Sequence, residues 1–226
     1  MKKKIFVALD NSDIKSALSV AKEIKEYISG IKVGLEFFTK NGPKGIEALS
    51  SLDLPIFLDL KFFDIKNTVT KAIKTLDGLP INYLSIHLLN GKETLVEAKK
   101  IINEFKNPIK LLGVTVLTSF TDNNLKEIGI SNSVNQQIEI LTNLGKEVGL
   151  HGIVCSPNEI KLVKKTFQGA EVFVPGIRLK KSDDDQKRIT TPLQALNNGA
   201  DFLVIGRPIT SGNPLKNIRE IISSLG

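Results

Sequence analysis

In the stretch "LDLKFFD" at residues 58–64, two aspartates and a lysine interrupt an otherwise apolar run. On an extended strand side chains alternate faces, so Phe57, Asp59 and Lys61 share one side while Leu58 and Leu60 share the other. A carboxylate and an ammonium this close are tolerated inside a protein only as a pair. For Asp59 and Lys61 alone, a salt bridge that steadies a strand end would account for the spacing. Asp10, just past "KIFVAL" (4–9), and Lys32, inside "IKVG" (31–34), change that reading. Carboxylates and ammoniums gathered from neighbouring strand ends form a closed network, which can hold its members ionised and stabilise charge that develops in a reaction.

A second pattern points to a phosphate. "VIGRPIT" (204–210) ends an apolar run in a glycine and an arginine, and "PGIR" (175–178) ends another in the same way. A glycine lets backbone N–H groups approach an anion, and an arginine offers a planar fork of donors. Each piece alone has the further reading of a tight turn with a surface arginine. Together they carry two of the only four arginines, Arg178, Arg188, Arg207 and Arg219, in a chain whose other basic residues are lysines.

These residues need elements to bring them together. Eight short β-branched or apolar runs recur, at 4–9, 31–34, 56–61, 82–87, 110–117, 152–155, 171–174 and 201–206. Helical periodicity separates them, as in 12–28, opened by Ser12 as N-cap, and in 92–105. Strands apolar on both faces that alternate with helices make a buried parallel sheet. Eight such units in 226 residues predict an α/β fold, a closed (β/α)8 TIM barrel formed as a single domain over 1–226, with an open doubly wound sheet as the alternative. In a barrel, Asp10, Lys32, Asp59, Lys61, His87, Thr118, Arg178, Gly206 and Arg207 would all face one mouth. The longest irregular stretch, 175–191, follows the seventh strand, and a loop of that length is a candidate functional segment.

Composition narrows the chemistry. One cysteine and two histidines cannot build a disulfide framework or the usual Cys/His zinc patterns; composition leaves an aspartate-based metal site open, though no metal is expected. Cys155 is expected to pack as a small apolar residue, His151 to be structural, and His87 to be a satisfied strand-end histidine or a pocket wall. "SDDD" (182–185) reads as a solvated loop rather than a metal site, and "KKTF" (164–167) as a basic helix end. The net charge of +7 is spread along the chain with glutamates interspersed, tryptophan is absent and tyrosines number two, which argues against a nucleic-acid-binding module. The basic start "MKKKIFVALDNSD" lacks a signal-peptide core, and no apolar stretch reaches the roughly 20 residues of a membrane span, so a cytoplasmic protein is expected.

In order along nearly the whole chain, "VALD" (7–10), "IKVG" (31–34), "DLKFFDIKNTV" (59–69), "VTVLTS" (114–119), "PGIR" (175–178), "DQKRITTPLQAL" (185–196) and "VIGRPIT" (204–210) resemble the orotidine 5'-phosphate decarboxylase family. A bare D-x-K-x-x-D also occurs in metal-dependent sugar-phosphate decarboxylases and aldolases of the same superfamily, the alternative reading. The extended motifs are more specific. Phe63, Lys66 and Leu88 to Asn90 depart from the common family pattern and flank the charged residues.

The resemblance implies a cofactor-independent carboxy-lyase that converts orotidine 5'-phosphate to uridine 5'-phosphate and CO2, the last step of de novo pyrimidine synthesis. It implies that Asp10 and Lys32 bind the ribose hydroxyls, that Asp59 lies beside the substrate carboxylate, and that Lys61 stabilises and protonates the carbanion at C6. Thr118 would contact the pyrimidine. Gln186, Gly206 and Arg207 would hold the 5'-phosphate, helped by Arg178, with the Gln186 region as a lid. Asp64 and Thr68 would reach into the neighbouring subunit's site, which makes the expected assembly a homodimer.

Overall fold

A short strand that is apolar on both faces must be covered twice, once by a barrel interior and once by helices. The computed structural model describes residues 4–11, 13–178 and 190–225 and meets that requirement. Strands β1 (Ile5–Ala8), β2 (Gly30–Gly34), β3 (Ile56–Phe62), β4 (Tyr83–His87), β5 (Lys110–Val114), β6 (Gly152–Val154), β7 (Glu171–Val174) and β8 (Phe202–Ile205) pair in parallel in sequence order. Strand β8 returns to pair with β1, so the sheet is a closed barrel and not the open alternative.

Around it, among the described residues, run α1 (Ile14–Ile24), α2 (Leu35–Ser50), α3 (Lys66–Lys74), α4 (Gly91–Asn103), α5 (Asp122–Glu127), α6 (Val134–Val148), α7 (Ile160–Thr166), α8 (Pro192–Asn197), α9 (Arg207–Thr210) and α10 (Pro214–Ser223). The expected helix over 12–28 is shorter at both ends. Asp13 is its N-cap, its Oδ2 accepting the Ser16 N–H at 2.8 Å, and Ser12 lies outside the described residues. After Ile24 the chain tightens into a 3₁₀ turn, Lys25–Tyr27. The fifth strand, expected over 110–117, ends at Val114, because beyond Thr115 the chain turns away to line the barrel mouth.

Two apolar layers follow from the alternation. Outward side chains such as Val7, Ile31, Leu58 and Ile86 pack beneath the helices, each worth about 1.5–3 kcal/mol when fully buried. Inward, Phe6, Phe57 and Phe173 meet Tyr83 and Phe202 edge-on or tilted, with ring centroids 4.8–6.3 Å apart. Most of these rings fill the barrel beneath the strand ends. Whatever polar group stands one inward position above them, as Asp59 stands above Phe57, rests on a dry floor.

Candidate active site

The polar layer at the mouth is built strand by strand. Lys32 comes from the middle of β2, where its register partners are Ala8 on one side and Phe57 on the other. Its ammonium rises to donate to Asp10 Oδ1 at 2.7 Å and lies 3.6 Å from Asp59 Oδ2. Asp59 Oδ2 also accepts from Lys61 Nζ at 2.9 Å. Gly34 makes room for this chain, since a Cβ there would sit 3.2 Å from Asp10 Oδ1 and 3.3 Å from Lys32 Nζ.

Asp10, Lys32, Asp59 and Lys61 therefore form one continuous row of alternating charge. Its centre is buried and its ends are open: the Lys32 and Asp59 side chains are 10% and 8% exposed, against 34% for Lys61 and 56% for Asp10. Burial opposes the charge on Lys32, but Asp59 and Asp10 outweigh it and hold its pKa above the ordinary lysine value. Burial likewise opposes ionisation of Asp59, yet Lys32 and Lys61 outweigh it and hold the carboxyl below its ordinary value.

Lys61 reaches its place by a route that simple alternation does not describe. Opposite β4, Leu58 pairs with Leu84 but the next partners are Phe62 and Ile86, so four residues of advance on β3 face two on β4. This bulge puts Lys61 at φ +48°, a left-handed conformation that costs a lysine about 1–3 kcal/mol. Leu60 still turns toward the helices, as expected. Ser85, from the inward face of β4, spans the irregularity: its Oγ accepts the Lys61 backbone N–H at 2.9 Å and donates to Asp59 Oδ1 at 2.8 Å. Ser85 is not among the residues that type and strand-end position single out. Its signal was parity, a hydroxyl in an apolar strand two residues from His87 and on the same side as Tyr83.

The charged row opens on a cleft of about 320 Å³ that also meets Thr118, Arg178, Gly206 and Arg207, so most of the expected mouth residues converge. Gly176 bends the end of β7 at φ +78°, which suits glycine, and the following residues cross to Thr190, whose carbonyl accepts the Arg178 N–H at 3.0 Å. Gln186 and "SDDD" lie outside the described residues.

His87 is not in this cleft. Its ring forms the wall of an adjacent apolar cavity of about 200 Å³, with Phe63 tilted over it at 5.6 Å and its Nδ1 accepting the Leu89 N–H at 3.3 Å. Burial, aided by the Lys61 charge, lowers its pKa to about 4. His151 is structural, its Nδ1 accepting the Leu111 N–H at 3.1 Å, and Cys155 is buried, as expected. "KKTF" is the basic end of α7, as expected, and there Lys164 binds Asp201 at 2.6 Å and the Ala170 carbonyl at 2.9 Å.

Asp64 and Thr68 also stand outside the cleft of their own barrel, exposed at the start of α3. The departures from the family pattern surround them. Phe63 is 61% and Ile65 72% exposed, and Lys66 pairs with Glu93. Leu88–Asn90 forms a 3₁₀ turn whose Asn90 Nδ2 donates to the carbonyls of Phe62 at 2.7 Å and His87 at 2.8 Å, fixing the end of β3 to that of β4. Among the described residues, no group of three or more His, Cys, Asp or Glu is placed to hold a metal, and no helix is long and apolar enough to cross a membrane.

Comparison with known proteins gives a consistent result. An orotidine 5'-phosphate decarboxylase of Ehrlichia canis is 46% identical over 223 residues, covering 98% of this chain and 97% of the relative. One from a Wolbachia pipientis strain of Culex pipiens is 42% identical over 223 residues, covering 98% of each. The crystal structure of orotidine 5'-phosphate decarboxylase from Lactobacillus acidophilus superposes over the whole of both chains with a TM-score of 0.84 at 29% identity. A family model, described as the orotidine 5'-phosphate decarboxylase / HUMPS family, matches residues 3–221, and the chain is a member of that family.

Proposed function

We propose that this chain decarboxylates orotidine 5'-phosphate to uridine 5'-phosphate and CO2, the last step of de novo pyrimidine synthesis in the cytoplasm. The supporting observation is the Asp10–Lys32–Asp59–Lys61 row, whose half-buried terminal ammonium opens on a cleft that carries Arg178 and Arg207 beyond β7 and β8. In an eight-stranded barrel those strands lie across the mouth from β3 and β4. A nucleotide bound there has its phosphate on the arginine side and its base toward Lys61.

When the bond from C6 to the carboxyl carbon breaks, its electron pair stays on C6 in the plane of the ring, where the π system cannot spread it. Stabilisation must come from fixed charge. The Lys61 ammonium beside C6 stabilises that pair and then gives it a proton, CO2 leaves, and the neutral amine regains a proton from solvent. Asp59 keeps Lys61 charged and aimed, Lys32 with Asp10 holds the ribose hydroxyls, and Thr118 meets the pyrimidine. Gly206, Arg207, Arg178 and Gln186 hold the 5'-phosphate, whose binding energy orders the charges. This chemistry calls on no cofactor.

The same reading makes the active form a homodimer in which Asp64 and Thr68 complete the partner's site. The exposed run with Phe63 and Ile65 beside Asp64 supports it, because large apolar side chains in that density mark a contact surface. The test is to incubate purified protein with orotidine 5'-phosphate and excess chelator while following the pyrimidine absorbance. Conversion to uridine 5'-phosphate is expected, and an unchanged spectrum refutes the reading.

A further inference from the structure

Ser85 is fully buried, inside the barrel, and its hydroxyl is used twice. A serine hydroxyl has one proton and two lone pairs. The proton goes to Asp59, which as a carboxylate can only accept, and a lone pair takes the Lys61 backbone N–H. No other arrangement satisfies both partners. One oxygen atom on β4 thus fixes the main chain of Lys61, in its unfavourable left-handed conformation, and the rotamer of Asp59, whose second oxygen faces Lys61 Nζ and Lys32 Nζ.

The main-chain contact replaces something lost. Across the bulge between Leu58 and Phe62 the register with β4 is irregular, and the Lys61 N–H is taken up by the Ser85 hydroxyl. An unsatisfied donor there would cost enough to relax the bulge and carry the Lys61 side chain away from its position. Asp59 has a matching need. With Oδ1 unsatisfied, the carboxylate can rotate to share its oxygens differently between the two ammoniums, and the direction of the Lys61 ammonium changes with it.

We propose that Ser85 is a positioning residue for the decarboxylation, acting through Asp59 and Lys61 without touching substrate. This rests on the decarboxylase reading of the same site. Because Ser85 lies beneath the charges and away from the phosphate and ribose contacts, its loss reduces the rate of the chemical step and leaves substrate binding nearly unchanged.

The test compares wild type, Ser85→Ala and Ser85→Cys in one assay with orotidine 5'-phosphate, measuring kcat and KM across pH. Cysteine is somewhat larger than serine but has the same branching, and it is only a weak donor and acceptor. Both variants should lose about 10²-fold in kcat with KM within about twofold of wild type, since ångström-scale misplacement of a catalytic group has that effect. The acid limb of kcat should move to higher pH, as Asp59 loses a hydrogen bond to its ionised form. A purely structural role would raise KM as kcat falls and leave that limb in place. If Ser85→Ala does not fold, Ser85→Cys carries the same expectation. Wild-type kcat and pH dependence in either variant overturn the proposal for Ser85, whereas no turnover by the wild type overturns the reading of the site itself.

Discussion

Asp59 is the residue on which the charged row depends. It lies between two ammoniums, is 8% exposed, and has every oxygen engaged, and together with Asp10 its negative charge keeps Lys32 ionised below the barrel mouth. Replacing it by asparagine leaves the Lys32 charge partly uncompensated in a buried setting, and Asp59→Asn should cost about 3 kcal/mol of stability together with turnover, read by urea unfolding and by assay. Wild-type stability would mean that Asp10 alone neutralises Lys32. The shift directions set a wide working range. The contribution of Asp59 is complete above the ordinary carboxylate pKa and is lost as pH falls through its lowered value, while that of Lys32 is complete below the ordinary lysine pKa and is lost as pH rises through its raised value. Asp10, Lys32, Asp59 and Lys61 were legible from type and strand-end position. Ser85 was legible by parity only as an inward-facing hydroxyl, because nothing in an apolar strand marks which polar groups the neighbouring strand will present to it.

At the scale of elements, the sequence periods located the eight strands to within a few residues, since a strand buried on both faces leaves a dense apolar run. What periodicity could not carry was the β3 bulge. Alternation placed Asp59 and Lys61 on one side, and they are together, but through two extra residues and a left-handed lysine rather than a regular pleat. The end of β4 shows a related limit. His87 was grouped with the mouth by its position, yet the turn Leu88–Asn90 and the ring of Phe63 enclose it in a separate apolar cavity. Its pKa there, about 4 against an ordinary 6.5, means that the unfolded chain binds a proton that the folded chain refuses over that interval. Stability is therefore present above pH about 6.5 and declines as pH falls toward 4. His87→Asn should flatten this decline in urea unfolding measured at a series of pH values, and an unchanged slope would show that the folded protein accepts the proton freely.

For the whole molecule, a closed barrel collects strand ends at one mouth, and this accounts for the convergence of residues as far apart in sequence as Asp10 and Arg207. The barrel does not bring in Asp64 or Thr68, which remain on its outside, and assembly was legible only through family resemblance. If Asp64 works across a two-fold interface, Lys61→Ala and Asp64→Ala are each inactive alone but complementary. Mixing equal amounts after subunit exchange should restore about one quarter of wild-type activity, as half the dimers are mixed and each has one intact site. A mixture as inactive as its components would place Asp64 within its own protomer's site or outside catalysis. Ile65→Glu, on the exposed run, should make specific activity fall on dilution.

The row of alternating charge has one terminal ammonium in the cleft, and the proposed reaction runs through it. The direct measurement is the rate of uridine 5'-phosphate formation from orotidine 5'-phosphate by wild type and by Lys61→Ala, with circular dichroism and thermal unfolding of both. Wild type should convert the substrate. Lys61→Ala should be folded and have lost at least about 10⁴-fold in kcat, the loss of charge stabilisation and proton donor together. Near-normal decarboxylation by folded Lys61→Ala would contradict the account.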